Sequence, residues 1–163
     1  YYTILFFMIN NLLPVLTLNN IYLIANLGVI PFWLMLLLLP NHSITHFFVQ
    51  SIIVPLILGS AYCFVAYKIF LNGNLFDSFE LYQGLDGLYS LFSDEAFLLI
   101  FWLHFLSISL FVGAWIIRDS NKYAVWKVFV FISLVLTYFT GPIGLLFYWI
   151  VRVFFAKKIS LND

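Results

Sequence analysis

The sequence predicts an all-α integral membrane protein with about four transmembrane helices. Apolar residues make up 64% of the 163 residues, charged residues only 9%, and the mean hydropathy is +1.07, whereas about 25% of a soluble domain is charged. Several apolar runs also reach about 20 residues, the length that a helix needs to cross a hydrocarbon core about 30 Å thick. Lipid is therefore the expected solvent of this chain.

The first two predicted spans each contain a proline. The first runs over 21–39, and Pro31 within it predicts a kink. The second runs over 47–67 and contains Pro55 and a patch of small residues, Gly59-Ser60-Ala61. Small side chains allow a neighbouring helix to approach closely, so we expect a helix contact at this patch.

The last two predicted spans have clear sequence boundaries. The third runs over 96–117 and follows Ser93-Asp94-Glu95, where a capping serine and two acidic residues indicate the start of a helix. The fourth runs over 125–151 and is interrupted by Gly141-Pro142. This pair cannot support an unbroken hydrogen-bond ladder, so it predicts one kinked helix or two stacked half-helices.

Two further segments complete a single membrane domain over 1–163. In the segment 1–18, polar residues and a proline separate two apolar stretches, which favours an N-terminal interfacial segment over a fifth span. In the segment 79–92, apolar residues recur on one face, which is typical of an amphipathic helix at a membrane surface. That face is formed by Leu81, Tyr82, Leu85, Leu88, Tyr89 and Phe92.

The charges exclude one class of partner but leave the orientation open. Seven basic and seven acidic residues give a net charge of zero, and binding nucleic acid needs a concentrated basic surface, so no nucleic acid is expected. Four spans divide the basic residues four against three, a bias too small for the positive-inside rule. The two groups are Lys68, Arg152, Lys157 and Lys158 against Arg118, Lys122 and Lys127. We expect both termini on the more basic side.

His104 is the one ionisable residue well inside a predicted span. Polar groups there are costly, so we expect a buried imidazole with a partner or a function. Three hypotheses remain: a neutral imidazole hydrogen-bonded within the bundle, an axial ligand of a chlorophyll or haem, and a proton donor to a lipophilic substrate. His42 and His46 share i, i+4 spacing but lack a third ligand, so no metal site is expected.

Aromatic residues, 21% of the chain, suggest two arrangements. Tryptophans near the expected span ends are typical of a belt that anchors helices at the membrane interface. The alternative is an aromatic groove for a carotenoid, a chlorophyll tail or a lipid, with Trp33, Trp102 and Trp115 as the candidate lining residues. Arg118-Asp119, directly after the third span, indicates a structural pair at the membrane surface.

Four groups of short segments carry a family resemblance. They are Ala25-Asn26-Leu27 with Pro31-Phe32-Trp33 and Pro40; Leu85-Asp86-Gly87 with Leu91-Phe92-Ser93; His104 with Leu110-Phe111-Val112-Gly113-Ala114-Trp115 and Arg118-Asp119; and Gly141-Pro142-Ile143-Gly144-Leu145-Leu146 with Tyr148. In this order and spacing, over about 21–155, the chain resembles the neoxanthin-synthase-like membrane proteins, the abscisic-acid-deficiency family of plants, algae and bacteria.

The resemblance implies a small four-helix protein associated with conversion of the epoxy-carotenoid violaxanthin to the allenic neoxanthin in plastid membranes. This isomerisation opens an epoxide while a proton leaves a ring-adjacent carbon, so it needs one acid and one base beside a long apolar slot. Under the resemblance, His104 is the first catalytic candidate, followed by Asp86 and Asp119.

Two departures from the family pattern favour another role on a shared fold. Ser109 stands where an aspartate is expected five residues after the histidine, and Asp86 stands where a glutamate is expected. We therefore expect an accessory subunit of a photosynthetic or respiratory membrane complex, which binds carotenoid, chlorophyll or lipid beside other membrane protein subunits. The alternative is a carotenoid epoxide isomerase. The expected location is the plastid thylakoid or envelope, with a mitochondrial inner or bacterial membrane as the alternative.

Overall fold

The computed structural model describes residues 17–51, 53–71, 82 and 84–157. Most of the predicted N-terminal interfacial segment and residues 79–81 and 83 of the predicted amphipathic helix lie outside the described residues. The helices, in chain order, are α1 (Leu18–Leu38), α2 (Ser43–Phe48), α3 (Ile53–Leu71), α4 (Leu85–Phe92), α5 (Glu95–Lys122), α6 (Lys127–Thr140) and α7 (Pro142–Ala156). The described part of the chain contains no β-strand, so the all-α prediction is confirmed there.

Three helical stretches are long and apolar enough to cross a membrane: α1, the stretch Ser43–Ile69 that includes α2 and most of α3, and α5. In their most apolar windows only 28%, 24% and 39% of the residues are buried. Large apolar side chains such as Leu27, Leu38 and Leu56 are more than half exposed. Water would not solvate such surfaces favourably, which fits helices that are surrounded by lipid.

The second predicted span, 47–67, contains the end of one helix and most of the next. α2 ends at Phe48 and α3 begins at Ile53. Pro55 consequently falls in the first turn of α3, where its missing N–H removes no intrahelical hydrogen bond. Pro31, in contrast, lies inside the 21-residue α1.

The described part of the amphipathic segment exposes much of its apolar stripe. Tyr82, Leu85 and Tyr89 are each more than three-quarters exposed. Leu91 is buried, and the ring of Phe92 lies 4.5 Å from that of Phe101 on α5. α4 is therefore attached to α5 at its end. Leu88 is partly covered, whereas Leu85 and Tyr89 are largely exposed, as expected of a helix on a membrane surface.

The chain divides into two compact units, each built from two separate stretches of sequence. Unit 1 comprises Tyr1–Gly28 and Leu58–His104, and unit 2 comprises Val29–Ile57 and Phe105–Asp163. Unit 2 contains the segment predicted as the fourth span. There α6 and α7 pack side by side, and the rings of Trp126 and Phe129, where α6 begins, lie 5.8 and 6.2 Å from the ring of Phe155, where α7 ends. The two helices are therefore antiparallel and form a helical hairpin.

The structure does not confirm a fourth span, because the predicted segment forms two short helices. α6 has 14 residues and α7 has 15, so each is about 21 to 23 Å long and shorter than a hydrocarbon core of about 30 Å. Gly141, at φ +62° and ψ −84°, ends α6 and precedes α7. The Gly-Pro break thus reverses the chain, because glycine adopts this backbone conformation without strain and proline suits the first turn of the next helix.

Glycine also determines how closely the hairpin packs. A Cβ at Gly144 would overlap the backbone nitrogen of Thr137 on α6. A Cβ at Gly113 would lie 3.0 Å from the ring of Trp33. At Gly59, in contrast, a Cβ would have no described atom within 4 Å, so the close contact expected there is not found. The sequence shows which side chains are small but not which neighbour they meet.

Replacing Gly144 with alanine should separate α6 from α7. We expect Gly144→Ala to lower the free energy of unfolding by about 1–3 kcal/mol, the usual effect of overpacking, because the methyl group meets backbone that cannot move independently. The measurement is unfolding of the full chain in detergent, followed by tryptophan fluorescence. Gly59→Ala is the matched control, and there the better helix propensity of alanine should stabilise by up to about 1 kcal/mol. An unchanged or more stable Gly144→Ala protein would contradict the close packing.

Candidate functional site

A groove in unit 1 lies where α1 and α5 begin. Its volume is about 570 Å³, within the range of about 300–1,000 Å³ that is typical of small-molecule sites. It is lined by Leu18, Asn19, Tyr22, Glu95, Leu98, Leu99 and Trp102. Asn19 and Glu95 are exposed and belong to the first turns of their helices, so the groove combines an apolar wall with two polar groups near the helix starts.

Trp102 is held in a defined orientation at this groove. Its indole Nε1–H donates a hydrogen bond to Oδ1 of Asn26, at 3.0 Å. The Asn26 amide donates in turn to the backbone oxygen of Tyr22, at 2.8 Å, and the Tyr22 and Trp102 rings lie 6.4 Å apart. Asn26 and Tyr22 are one helical turn apart on α1. This network leaves Trp102 38% exposed, so an aromatic surface remains available to a ligand in the groove.

A polar cluster in unit 2 connects the end of α5 to α7. Arg152 Nε donates to Oδ2 of Asp119 at 2.7 Å, and the Tyr148 hydroxyl donates to the same oxygen at 2.7 Å. The side chain of Arg152 is fully buried and that of Asp119 is 10% exposed. Tyr148 is also fully buried. One carboxylate oxygen therefore receives two donors from α7, four residues and about one turn apart.

Aromatic rings surround this ion pair. The guanidinium carbon of Arg152 lies 4.7 Å from the ring centre of Tyr123 and 5.1 Å from that of Trp149, distances at which cation–π attraction acts. Trp115 stacks on Trp149 at 6.1 Å and meets the edge of Tyr148 at 5.5 Å. The rings surround the ion pair of Asp119 and Arg152 with apolar surface, which strengthens the attraction between the two charges.

The sequence contained a signal for this cluster. Arg152 stands between Val151 and Val153 in an apolar run, and such a charge needs a partner in a membrane protein. Asp119 was predicted to have a structural role after the third span, beside Arg118. The structure joins it to Arg152, 33 residues later, and the reversal of the chain at Gly141 makes that contact available.

His104 does not occupy the buried position that was expected. It is exposed on α5, and its ring lies 6.5 Å from that of Tyr62 on α3, within unit 1. His104 follows Trp102 by two residues, which places it about 200° around the helix from the groove face. The burial prediction was wrong because α5 is apolar on all sides, so periodicity could not identify its inner face.

The other proposed site residues lie in different surroundings. Asp86 is exposed in the first turn of α4, and among the described residues of unit 1 no hydrogen bond joins it to His104. Trp33 is buried against Gly113, and its ring meets the edge of Tyr138 at 5.4 Å. Of the three tryptophans proposed to line a groove, Trp33 is buried in unit 2, Trp115 is half-buried in unit 2 beside the rings of Tyr148 and Trp149, and Trp102 lines the groove of unit 1.

Comparison with known proteins identifies a family. A family model described as ABA DEFICIENT 4-like matches residues 20–148, more than three-quarters of the chain, and confirms the resemblance. The match includes the groove residues from Tyr22 onward and both Asp119 and Tyr148, whereas Arg152 lies four residues beyond it. No curated protein and no solved structure matches the chain.

Removing the carboxylate of Asp119 should destabilise unit 2 strongly. We expect Asp119→Ala to lower the free energy of unfolding by about 3–5 kcal/mol, because it leaves a buried guanidinium without its counter-ion. Tyr148→Phe removes one hydrogen bond and should cost about 1 kcal/mol. Unfolding in detergent, followed by the near-ultraviolet circular dichroism of the clustered rings, provides the measurement.

Two further variants test whether an unpaired buried charge causes the loss of stability in Asp119→Ala. Asp86→Ala, at an exposed carboxylate, should change stability by less than about 0.5 kcal/mol. Replacing both charges, as Asp119→Leu with Arg152→Met, should recover most of the loss because no uncompensated charge remains. A loss for Asp119→Ala no greater than that for Tyr148→Phe is incompatible with a desolvated ion pair.

Proposed function

Because the chain belongs to the ABA DEFICIENT 4-like family, we propose that it is an accessory membrane protein that binds a xanthophyll in the groove of unit 1. The observation that carries this proposal is the combination of an apolar groove wall, the oriented ring of Trp102 and the polar groups of Asn19 and Glu95 where α1 and α5 begin. A xanthophyll combines the same two properties, since its long polyene is apolar and its end rings carry polar oxygen atoms.

The chemistry of the groove supports binding better than catalysis. Leu98 and Leu99 offer dispersion contacts to a polyene, and the exposed part of Trp102 offers a flat face for an end ring. Near the membrane surface the Asn19 amide can donate a hydrogen bond to a ring oxygen, and the Glu95 carboxylate can accept one from a ring hydroxyl. The described residues that line the groove include no histidine.

The proposed setting follows from the family and from the exposed surfaces. Three helices able to cross a membrane support an integral membrane location, and the family points to the plastid. We assign an accessory role in a plastid membrane complex because Ser109, buried in unit 2, stands where a catalytic carboxylate was expected. Lipids and other membrane protein subunits are the proposed partners of the apolar outer faces. Chlorophyll is the second proposed pigment, and the absorption spectrum of the purified protein tests for it.

A second proposed function, epoxy-carotenoid isomerisation, rests on His104 and Tyr62. The imidazole is exposed on α5 and its ring lies 6.5 Å from the phenol-bearing ring of Tyr62. An imidazole and a phenol can act as base and acid for opening an epoxide with loss of a proton. Violaxanthin would reach them along the outer surface of α5 rather than through the groove, and neoxanthin would be the product.

Xanthophyll binding should depend on Trp102. We expect the purified wild-type chain to bind violaxanthin in detergent with quenching of tryptophan fluorescence, and Trp102→Ala to weaken that binding at least tenfold by removing the aromatic surface of the groove. Trp126→Ala is the matched control, since Trp126 is 67% exposed and lies in unit 2, and its affinity should equal that of the wild type.

The absorption spectrum of the purified chain serves as a second measurement of binding. Carotenoid bands that disappear in Trp102→Ala and persist in Trp126→Ala would support the groove. Equal affinities for both variants, or chlorophyll bands alone, would contradict a xanthophyll site at Trp102.

The isomerase alternative requires turnover that depends on His104. Co-expression with violaxanthin-producing enzymes, followed by chromatography, should then reveal an allenic xanthophyll, and His104→Gln should lower its yield at least 100-fold because general acid–base catalysis contributes about 10²–10⁴-fold. His46→Gln, at an exposed histidine of α2, is the control. If well-folded wild-type protein yields no new xanthophyll, the accessory role remains and the isomerase is ruled out.

A further inference from the structure

The hairpin of α6 and α7 begins and ends beside the same end of α5. Asp119, one turn before the end of α5, contacts Tyr148 and Arg152 near the end of α7. α6 begins at Lys127, only five residues after α5 ends. Both open ends of the hairpin therefore lie at the level where α5 leaves the membrane.

The tip of the hairpin lies deeper along α5. A Cβ at Gly141 would be 3.3 Å from the ring of Phe105 and 3.4 Å from the hydroxyl of Ser109. Ser109 precedes Asp119 by ten residues, which corresponds to about 15 Å along the helix axis. The chain therefore turns near the middle of the hydrocarbon and does not reach the opposite surface.

We propose that α6 and α7 form a re-entrant hairpin, so that the described part of the chain crosses the membrane three times and α7 ends on the side on which α5 ends. This inference concerns topology and is independent of the proposed function.

The local hydrogen bonds make such a turn acceptable within hydrocarbon. Gly141 N–H donates to the oxygen of Thr137 at 2.9 Å, and Leu145 N–H donates to the oxygen of Gly141 at 3.2 Å. Pro142 has no N–H to satisfy. Backbone at membrane depth needs its polar groups satisfied. At this turn the N–H and the C=O of Gly141 are both hydrogen-bonded, and Gly141 is half-buried beside Phe105 and Ser109.

Three crossings change the distribution of charge between the two membrane surfaces. If α1, Ser43–Ile69 and α5 cross in alternation, one surface receives five of the six basic residues in the described part of the chain and the other receives one. The five are Arg118, Lys122, Lys127, Arg152 and Lys157, and the one is Lys68. The surface with Lys68 receives three of the four described acidic residues: Asp86, Asp94 and Glu95.

A division of five against one, unlike four against three, determines the orientation. Loops rich in lysine and arginine remain on the cytoplasmic side during insertion. The ends of α5 and α7 therefore face the cytoplasm of a bacterial host, and α4 and the start of α5 face the opposite side. The charge pattern and the geometry of the hairpin support the same topology although they are separate observations.

Cysteine labelling of the full chain tests this topology. The background is Cys63→Ala, which removes the one native cysteine. Three single-cysteine proteins are then made: Ser93→Cys between α4 and α5, Ala124→Cys between α5 and α6, and a cysteine appended after Asp163. A membrane-impermeant maleimide is added to intact bacterial cells and to inverted membrane vesicles, and size-exclusion chromatography in detergent verifies that each variant is folded.

We expect Ser93→Cys to react at least tenfold more in intact cells than in inverted vesicles, and the other two proteins to show the reverse preference. Labelling of the appended cysteine from the same side as Ser93→Cys, opposite to Ala124→Cys, would establish a fourth crossing and overturn the hairpin. Labelling of all three sites with the opposite preferences would overturn the orientation. A fluorescent protein fused after Asp163 gives an independent readout, since it should fluoresce only if that end is cytoplasmic.

Discussion

The ion pair between Asp119 and Arg152 is the interaction on which the arrangement of unit 2 depends. A guanidinium that is fully buried in an apolar helix needs a counter-ion at close range, and Asp119 meets it at 2.7 Å. That contact fixes the end of α7 beside the end of α5. Because α6 also begins there, the chain must reverse between them, and Gly141 with Gly144 makes the reversal and its close packing sterically possible.

Hydropathy and helix-start signals predicted the long helices well. The third predicted span, 96–117, corresponds to α5 at Glu95–Lys122, and the first, 21–39, corresponds to α1 at Leu18–Leu38. These elements were predictable because their signals are local: an unbroken apolar run and, for α5, an acidic first turn. The prediction that Ser93 caps α5 was wrong, since Oδ1 of Asp94 accepts from the N–H groups of Ala96 and Phe97. The hairpin was not predictable in the same way, since a Gly-Pro break looks the same in sequence whether the chain bends slightly or turns back.

The candidate site shows the same limit of sequence reasoning. Trp102 could be proposed as a lining residue from its type and position, but the groove depends on its hydrogen bond to Asn26, which is 76 residues earlier. His104 was assigned to the interior although it is exposed, because a helix that is apolar on every side gives no information about which face is packed. The local geometry distinguishes an exposed ring at the groove, that of Trp102, from a carboxylate in an ion pair, that of Asp119.

Because the apolar stripe of α4 is largely exposed, the stability of this helix depends on the surrounding lipid. An eight-residue helix is marginal on its own in water, and Leu91 is the one buried residue of this helix, beside the contact of Phe92 with Phe101. Leu85 and Tyr89 must find their apolar surroundings among headgroups and acyl chains. The order of α4 is therefore coupled to how tightly the surrounding lipids are packed, and a short-chain detergent that replaces them would melt this helix while α5 stays intact.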